Sequence, residues 1–303
     1  MNNESIEDGF IIHPFKVSES NPIIWISNSN KSTEPPTSKS TGLSMQNLNH
    51  DQTKYTSFVK EIQKHIGQGK LQKAIASRPF FADVKPRWQI TTYFQKLVEK
   101  YENAFTYLFS VPGIGTWCGA TPEMLIDAHG NKIQLVSLAG TKTQDQEWSD
   151  KERDEQLFVT EYIKSQLNKN GCQNISAEEP QTVKAGAVEH LKTNISAELS
   201  NPEQLYSLVT NLHPTPAVGG LPKNAAIELI LEKESYDRKY YTGFLGPVTS
   251  NQTKLFVNLR CLESLGDSVC LYLGAGITAA SNPEAEWEET KLKAETLLSV
   301  LNE

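Results

Sequence analysis

The sequence predicts an α+β fold with a large, mainly antiparallel sheet assembly, and three observations carry that expectation. Strand-like segments come in clusters and do not alternate strictly with helices, which argues against a doubly wound parallel sheet. Apolar residues recur four apart in several separate segments, the spacing of one helix face. The chain has 303 residues, enough for one large or two ordinary domains with a real core.

In chain order, residues 9–26 carry two short apolar runs, FII and IIWI, that read as strands. Residues 27–50 (SNSNKSTEPPTSKSTGLSMQNLNH) hold too little apolar area to offset the entropy of ordering them, and are expected to form a mobile connection. Residues 1–50 are therefore a short N-terminal lead, and residues 51–303 are the main domain. Phe58, Ile62 and Ile66 place a helix over 52–66. Helices also read over 91–101, 149–167, 202–212 and 223–232, and in the last twenty residues. In the 149–167 helix, Leu157, Phe158 and Ile163 have core character. Strands read over 104–110, 124–127, 132–136, 254–259 and 268–273, the last two expected to form a hairpin about Gly266 and Asp267. There is no internal repeat.

Composition excludes several classes. Net charge −7 and a pI of about 5.5 offer nothing to nucleic acid or an anionic membrane. Cys118, Cys172, Cys261 and Cys270 are scattered without a CxxC pair, which fits reduced thiols in a cytoplasmic protein. The start, MNNESIEDGF, is acidic and polar where a signal peptide is basic and then apolar, and no apolar run approaches the ~18 residues of a membrane span.

Four features could carry chemistry. GAGITA places Gly274, Gly276 and Ala279 in a G-x-G-x-x-A pattern, but a dinucleotide fold needs a further strand with an acidic residue ~20 positions on, and here one acidic helix ends the chain. Nucleotide binding is the weaker alternative, and the glycines can instead bring backbone N–H groups to a carboxylate. The final helix, capped by Ser281 or Asn282, has Glu284, Glu286, Glu288 and Glu289 in its first turns, where the dipole favours negative charge. Glu286 and Glu289 share a face and have the hard oxygen donors that Mg²⁺ takes. Glu152 and Glu155 repeat that spacing in KERDE, where a solvated face is the simpler reading. Lys73 in LQKAIASRPF and Glu123 in GATPEML stand among apolar segments. A lysine serves as a base near neutral pH only where its surroundings lower its pKa from ~10.4, and a glutamate as an acid only where burial raises it from ~4.3. The histidines show no metal-ligand spacing and the serines no G-x-S-x-G elbow.

In order, KAIASR, GATPEML, SLAGT, KERDE, VEHL, LHPTPAVGGLPK, YDR, VNLRC and GAGITAASNPEAEWEET resemble the motifs of the chorismate-utilising enzymes over residues 51–303. That family contains isochorismate, salicylate, anthranilate and aminodeoxychorismate synthases. The resemblance implies a sheet assembly with helices packed outside and an active site in a cleft between its halves. It makes Lys73 the lysine that activates water in isochorismate and salicylate synthases, and Glu123 the acid that protonates the departing C4 hydroxyl of chorismate. Glu155 and Glu289 fall on the Mg²⁺ ligands, with Glu152 and Glu286 as helpers. Arg260 and Lys293 fall on the groups that hold substrate carboxylates, joined by backbone around Gly274 and Gly276. His190, Gly140 and Thr141 fall near the C4 hydroxyl.

Ala139 stands where aminodeoxychorismate synthases carry a nucleophilic lysine, and Ala217 where salicylate synthases place a threonine. The resemblance thus implies a Mg²⁺-dependent isochorismate synthase, in menaquinone or siderophore biosynthesis, acting as a monomer. Salicylate synthase is the alternative on the same fold. Two departures stand out: the lead is shorter than in typical members, so part of the usual sheet is expected to be missing or replaced, and Gln156 stands where many members have a histidine.

Overall fold

The computed structural model describes residues 8–27, 52–143, 146–185 and 188–301. The expected mobile connection beyond Ser27 lies outside the described residues. The elements are β1 (Gly9–His13), β2 (Ile24–Ser27), α1 (Gln52–Gly67), β3 (Lys73–Asp83), α2 (Ile90–Lys100), β4 (Phe105–Val111), β5 (Gly115–Thr121), β6 (Met124–His129), β7 (Lys132–Thr143) and α3 (Asp150–Lys169). They continue with β8 (Gln173–Ala177), β9 (Gln181–Ala185), β10 (Val188–Glu198), α4 (Leu205–Leu212), β11 (Gly220–Leu221), α5 (Lys223–Lys233), β12 (Phe244–Val248), β13 (Gln252–Val257), β14 (Cys261–Ser264), β15 (Ser268–Ile277) and α6 (Pro283–Leu301).

The strands form two antiparallel sheets. One runs β2-β1-β12-β13-β6-β7-β10-β8, with β9 also on β10, and the other runs β11-β3-β15-β14-β5-β4. The two apolar runs of the lead are thus β1 and β2, stitched to β12 in the register Ile11↔Gly246. Between the sheets lies an aromatic core in which Ile12, Ile24 and Leu245 from the first meet Tyr107, Phe109, Trp117 and Tyr272 from the second. Helix α3, with α4, covers the first sheet through Val159, Ile163 and Leu167. Helices α1, α2 and α6 cover the outer face of the second through residues such as Phe58, Ile62, Trp287, Leu97 and Leu297. Asn282 caps α6, its Oδ1 accepting from the Ala285 N–H at 2.9 Å. No described helix is long and apolar enough to cross a membrane.

Two local expectations are corrected, and the weaker nucleotide reading loses its geometry. The hairpin about Gly266 and Asp267 joins β14 to β15, because Arg260, at φ +48°, turns the chain out of the first sheet after β13 and into the second. Leu157 and Phe158 are exposed at 53% and 50%, since the buried stripe of α3 runs Gln156, Val159, Thr160, Ile163, Leu167, the 3–4 spacing of a different face. Gly274 and Gly276 lie inside β15, paired with Ser77 and Ile75, so they do not form the strand-to-helix phosphate loop that nucleotide binding needs.

Candidate active site

Lys73 opens β3, and its ammonium meets Glu155 Oε1 of α3 at 2.5 Å, a pair that spans the two sheet halves. Its room comes from Gly276 on the neighbouring strand, where a Cβ would stand 3.0 Å from Lys73 Cε and 3.4 Å from Nζ. Side chains must alternate along β15, so this contact places Gly276 and Gly274 on the cleft face.

Glu123 sits on the turn between β5 and β6, its N–H bonded to Thr121 Oγ1 at 3.3 Å and its carbonyl to the Val257 N–H at 2.9 Å. Together with Leu125, Thr215 and Ala217, it borders a small apolar cavity. Burial raises its carboxyl from 4.5 to about 7, and the Lys73 charge offsets this only in part. A glutamic acid that holds its proton near neutrality therefore faces a lysine.

The bulge between β7 and β10 positions the third group. His190 pairs with Thr141 and Leu191 with Ala139, which leaves Gly140 as the extra residue at φ +68°. A Cβ at Gly140 would lie 3.0 Å from Glu152 O, so glycine is needed both for the turn and for the approach of α3. His190 Nδ1 lies 3.0 Å from the Gly140 carbonyl, which can only accept, so Nδ1 carries the hydrogen and Nε2 is left as an acceptor. Burial, with help from Lys293 and Arg260, lowers the pKa of the ring and keeps it neutral.

Helix α6 closes the site. Lys293 Nζ bridges Glu289 Oε1 at 2.7 Å and the Gly274 carbonyl at 2.8 Å. Arg260 bonds Thr296 Oγ1 at 2.7 Å. Burial lowers its pKa, and Glu289 acts in the other direction. Glu286, one turn before Glu289, joins it in acting on the buried Tyr55 hydroxyl. Glu152 is engaged in the capping box of α3, accepting from the Ser149 N–H at 3.1 Å. Contacts thus join Lys73 to Glu155 and Gly276, Lys293 to Glu289 and Gly274, His190 to Gly140, and Glu123 to Ala217, while Glu152 meets this set through its backbone at Gly140 and Glu286 reaches it only beside Tyr55. Thr141 is placed by its backbone alone. Among the described residues, no three His, Cys, Asp or Glu side chains cluster as a ready-made metal cage.

Two buried residues that position the site had no role assigned from sequence. Arg238 of the YDR motif is 2% exposed and pairs with Glu234 Oε1 at 2.6 Å, while donating to the carbonyls of Val218 and Ile75, both at 2.9 Å. It ties the segment carrying Ala217 to the strand carrying Lys73. Its signal in the sequence was the motif itself. Gln156 is buried and donates to Ser137 O at 3.1 Å and Thr193 Oγ1 at 3.0 Å, which locks α3 onto the sheet.

This is an α+β architecture of two antiparallel sheets in which a buried carboxyl and a lysine share one cleft. The chain belongs to the chorismate binding enzymes, whose family model matches residues 17–302. It is 33% identical to isochorismate synthase EntC of Escherichia coli (strain K12) over 214 residues, which cover 66% of this chain and 55% of that one. The solved structure of DhbC from Bacillus anthracis superposes with a TM-score of 0.80 at 26% identity, covering 97% of this chain and 84% of that one. MenF, the menaquinone-specific isochorismate synthase of Escherichia coli, gives 0.77 at 26% identity, covering 89% and 66%. The chain thus spans little more than half the length of EntC.

Proposed function

We propose that this protein is an isochorismate synthase, an isomerase that adds water at C2 of chorismate as the C4 hydroxyl leaves. The observation that carries the reading is the Glu123 carboxyl, raised to about 7 by burial and facing Lys73 across the site. Supporting it, relatives named isochorismate synthase match over most of this chain. Residues 51–303 form the catalytic module, with the lead adding β1 and β2 to its sheet.

Lys73 takes a proton from the attacking water in its neutral amine form, which requires the ammonium to lose a proton and its 2.5 Å contact with Glu155 to open first. Glu123 gives its proton to the departing C4 oxygen. Neutral His190 offers Nε2 to the C4 hydroxyl hydrogen, beside the backbone of Gly140 and Thr141. Arg260 and Lys293 hold substrate carboxylates, and Gly274 and Gly276 leave room for the ring. The small side chain of Ala217, beside Glu123, gives no hydroxyl to assist pyruvate elimination.

Mg²⁺ fits the donor chemistry of this cleft. Glu155 on α3 and Glu289 on α6 have hard oxygens, with Glu152 and Glu286 one turn before them, and Mg²⁺ is commonly held by one or two carboxylates with substrate and water completing its shell. When bound, it supplies positive charge for the substrate C1 carboxylate in an otherwise acidic cleft. The protein is expected to act as a monomer in the cytoplasm, with no nucleic acid or membrane partner, in menaquinone or siderophore biosynthesis.

Incubation with chorismate and Mg²⁺, with products followed by chromatography and fluorescence, tests the activity. Isochorismate as the sole product is expected. Salicylate with stoichiometric pyruvate would instead establish the salicylate synthase alternative, and unchanged chorismate would overturn the enzyme reading.

A further inference from the structure

A cavity of about 330 Å³ opens on the other side of the second sheet, between the start of α1, the middle of β3, residues 233–235 and Trp287. Its volume is at the lower end of those that hold small ligands. Arg78, which lines it, stands five residues after Lys73. An odd interval on a strand sends the two side chains to opposite faces, roughly 16 Å apart along β3. The cavity is therefore distinct from the cleft that holds Lys73 and Glu123.

Its wall combines an aromatic surface with buried donors that have no partner. Trp287 lies under the Arg78 guanidinium at 3.9 Å and beside Tyr55 at 5.6 Å between ring centroids, and Phe58 extends this surface. Arg78 is 7% exposed. Its Nε donates to Thr290 Oγ1 at 2.8 Å, while Nη1 has no partner. The Tyr55 hydroxyl, on a residue 4% exposed, also has none.

Nearby carboxylates compensate the guanidinium only in part: Glu288 supports its charge, and Glu286 and Glu289 act on the neighbouring Tyr55 hydroxyl. Glu234 is taken by Arg238 and Ser77, Glu61 by Lys64 at 3.1 Å, and Glu288 by Lys291 at 2.8 Å. Burial accordingly lowers the Arg78 pKa to about 10, the mark of a cation short of negative charge. Buried cations are ordinarily paired, and a guanidinium fork matches a carboxylate.

We propose that this cavity is a binding site for a small aromatic carboxylate, whose carboxylate engages Arg78 and the Tyr55 hydroxyl while its ring packs on Tyr55, Phe58 and Trp287. The occupant would rest on the first turns of α6, next to Glu286 and Glu289.

Benzoate, benzamide and inorganic phosphate, titrated by calorimetry and by tryptophan fluorescence, test the site. Benzoate is expected to bind with a Kd of ~1 mM or tighter, and benzamide and phosphate about tenfold more weakly, since each lacks one half of the recognition. Arg78→Gln should weaken benzoate about tenfold or more, and Tyr55→Phe, which removes a single oxygen, about threefold or more. Arg260→Gln in the catalytic cleft should leave benzoate affinity unchanged. The proposal is overturned if the wild-type protein binds no benzoate at ~10 mM, a concentration at which even weak small-ligand binding registers. It is also overturned if phosphate binds as tightly as benzoate, or if Arg260→Gln abolishes binding that Tyr55→Phe leaves intact. Should Arg78→Gln fail to fold, Tyr55→Phe decides.

Discussion

Glu123 and Glu155 bear the same side chain and face the same lysine, yet the two regions that hold them treat them differently. Glu155 projects from α3 with its side chain 24% exposed and meets the Lys73 ammonium at 2.5 Å. Glu123 comes from the β5–β6 turn, beside an apolar cavity, and burial outweighs the same lysine's charge, so its carboxyl titrates near 7. One carboxylate is an ion-pair partner and a candidate metal ligand, the other a candidate proton donor. Position on the fold sets the role, as it does wherever two carboxylates in one site divide the work.

The comparison can be broken most severely at the residue both carboxylates face. Lys73→Gln should lower kcat by ~10²–10⁴-fold, the usual range for losing a general base, with the circular-dichroism spectrum unchanged. A wild-type-like rate would remove Lys73 as the base. Glu123→Gln should lower kcat by a comparable ~10²-fold or more. It also has a signature that a merely structural residue lacks. Folding raises the pKa of Glu123 from 4.5 to about 7, so the native state holds the proton more tightly. Its contribution to stability is greatest below pH 4.5, declines between 4.5 and 7, and is flat above that. Relative to wild type, Glu123→Gln should therefore gain up to ~3 kcal/mol in urea denaturation above pH 7, and nothing near pH 4. For the same reason, wild-type kcat should fall as pH rises through about 7, and Glu123→Gln should lose that descending limb.

On the other side, Glu289→Ala should raise the Mg²⁺ concentration for half-maximal activity by ~10-fold or more, a fraction of the effect of losing either proton-transfer group. Equal Mg²⁺ dependence in mutant and wild type would contradict its assignment as a ligand. The smallest effect is expected at Leu157, outside the buried stripe of α3, where Leu157→Ser should change stability by less than ~0.5 kcal/mol. A loss of ~2 kcal/mol there would mean that the face is covered.

Much of the architecture was legible because it depends on local spacing. All six predicted helices are present within a few residues of their expected bounds, since each carries a 3.6-residue apolar stripe or a cap. β5, β8 to β12 and β14 escaped, because polar, Gly or Pro residues interrupt the apolar runs that mark a strand, as in VEHLKTNISAE of β10 and FLGPV of β12. The candidate site was legible only as motifs in order. Nothing in the spacing of Lys73, Glu155 and Gly276 states that they touch, and Leu157 and Phe158 look apolar enough to be buried until the phase of α3 is known.

The α+β class, the acidic helices, the family and the residue types that a chorismate enzyme needs are legible in composition, periodicity and motif order. Packing in three dimensions alone shows which glutamate is desolvated and which is ion-paired. It also shows that Gly276 makes room for Lys73, and that Arg78 Nη1 has no partner in a cavity behind the site. Protonation and pairing follow from desolvation and from contacts between residues far apart along the chain, such as Lys73 with Glu155 and Gly276, and no local pattern encodes them.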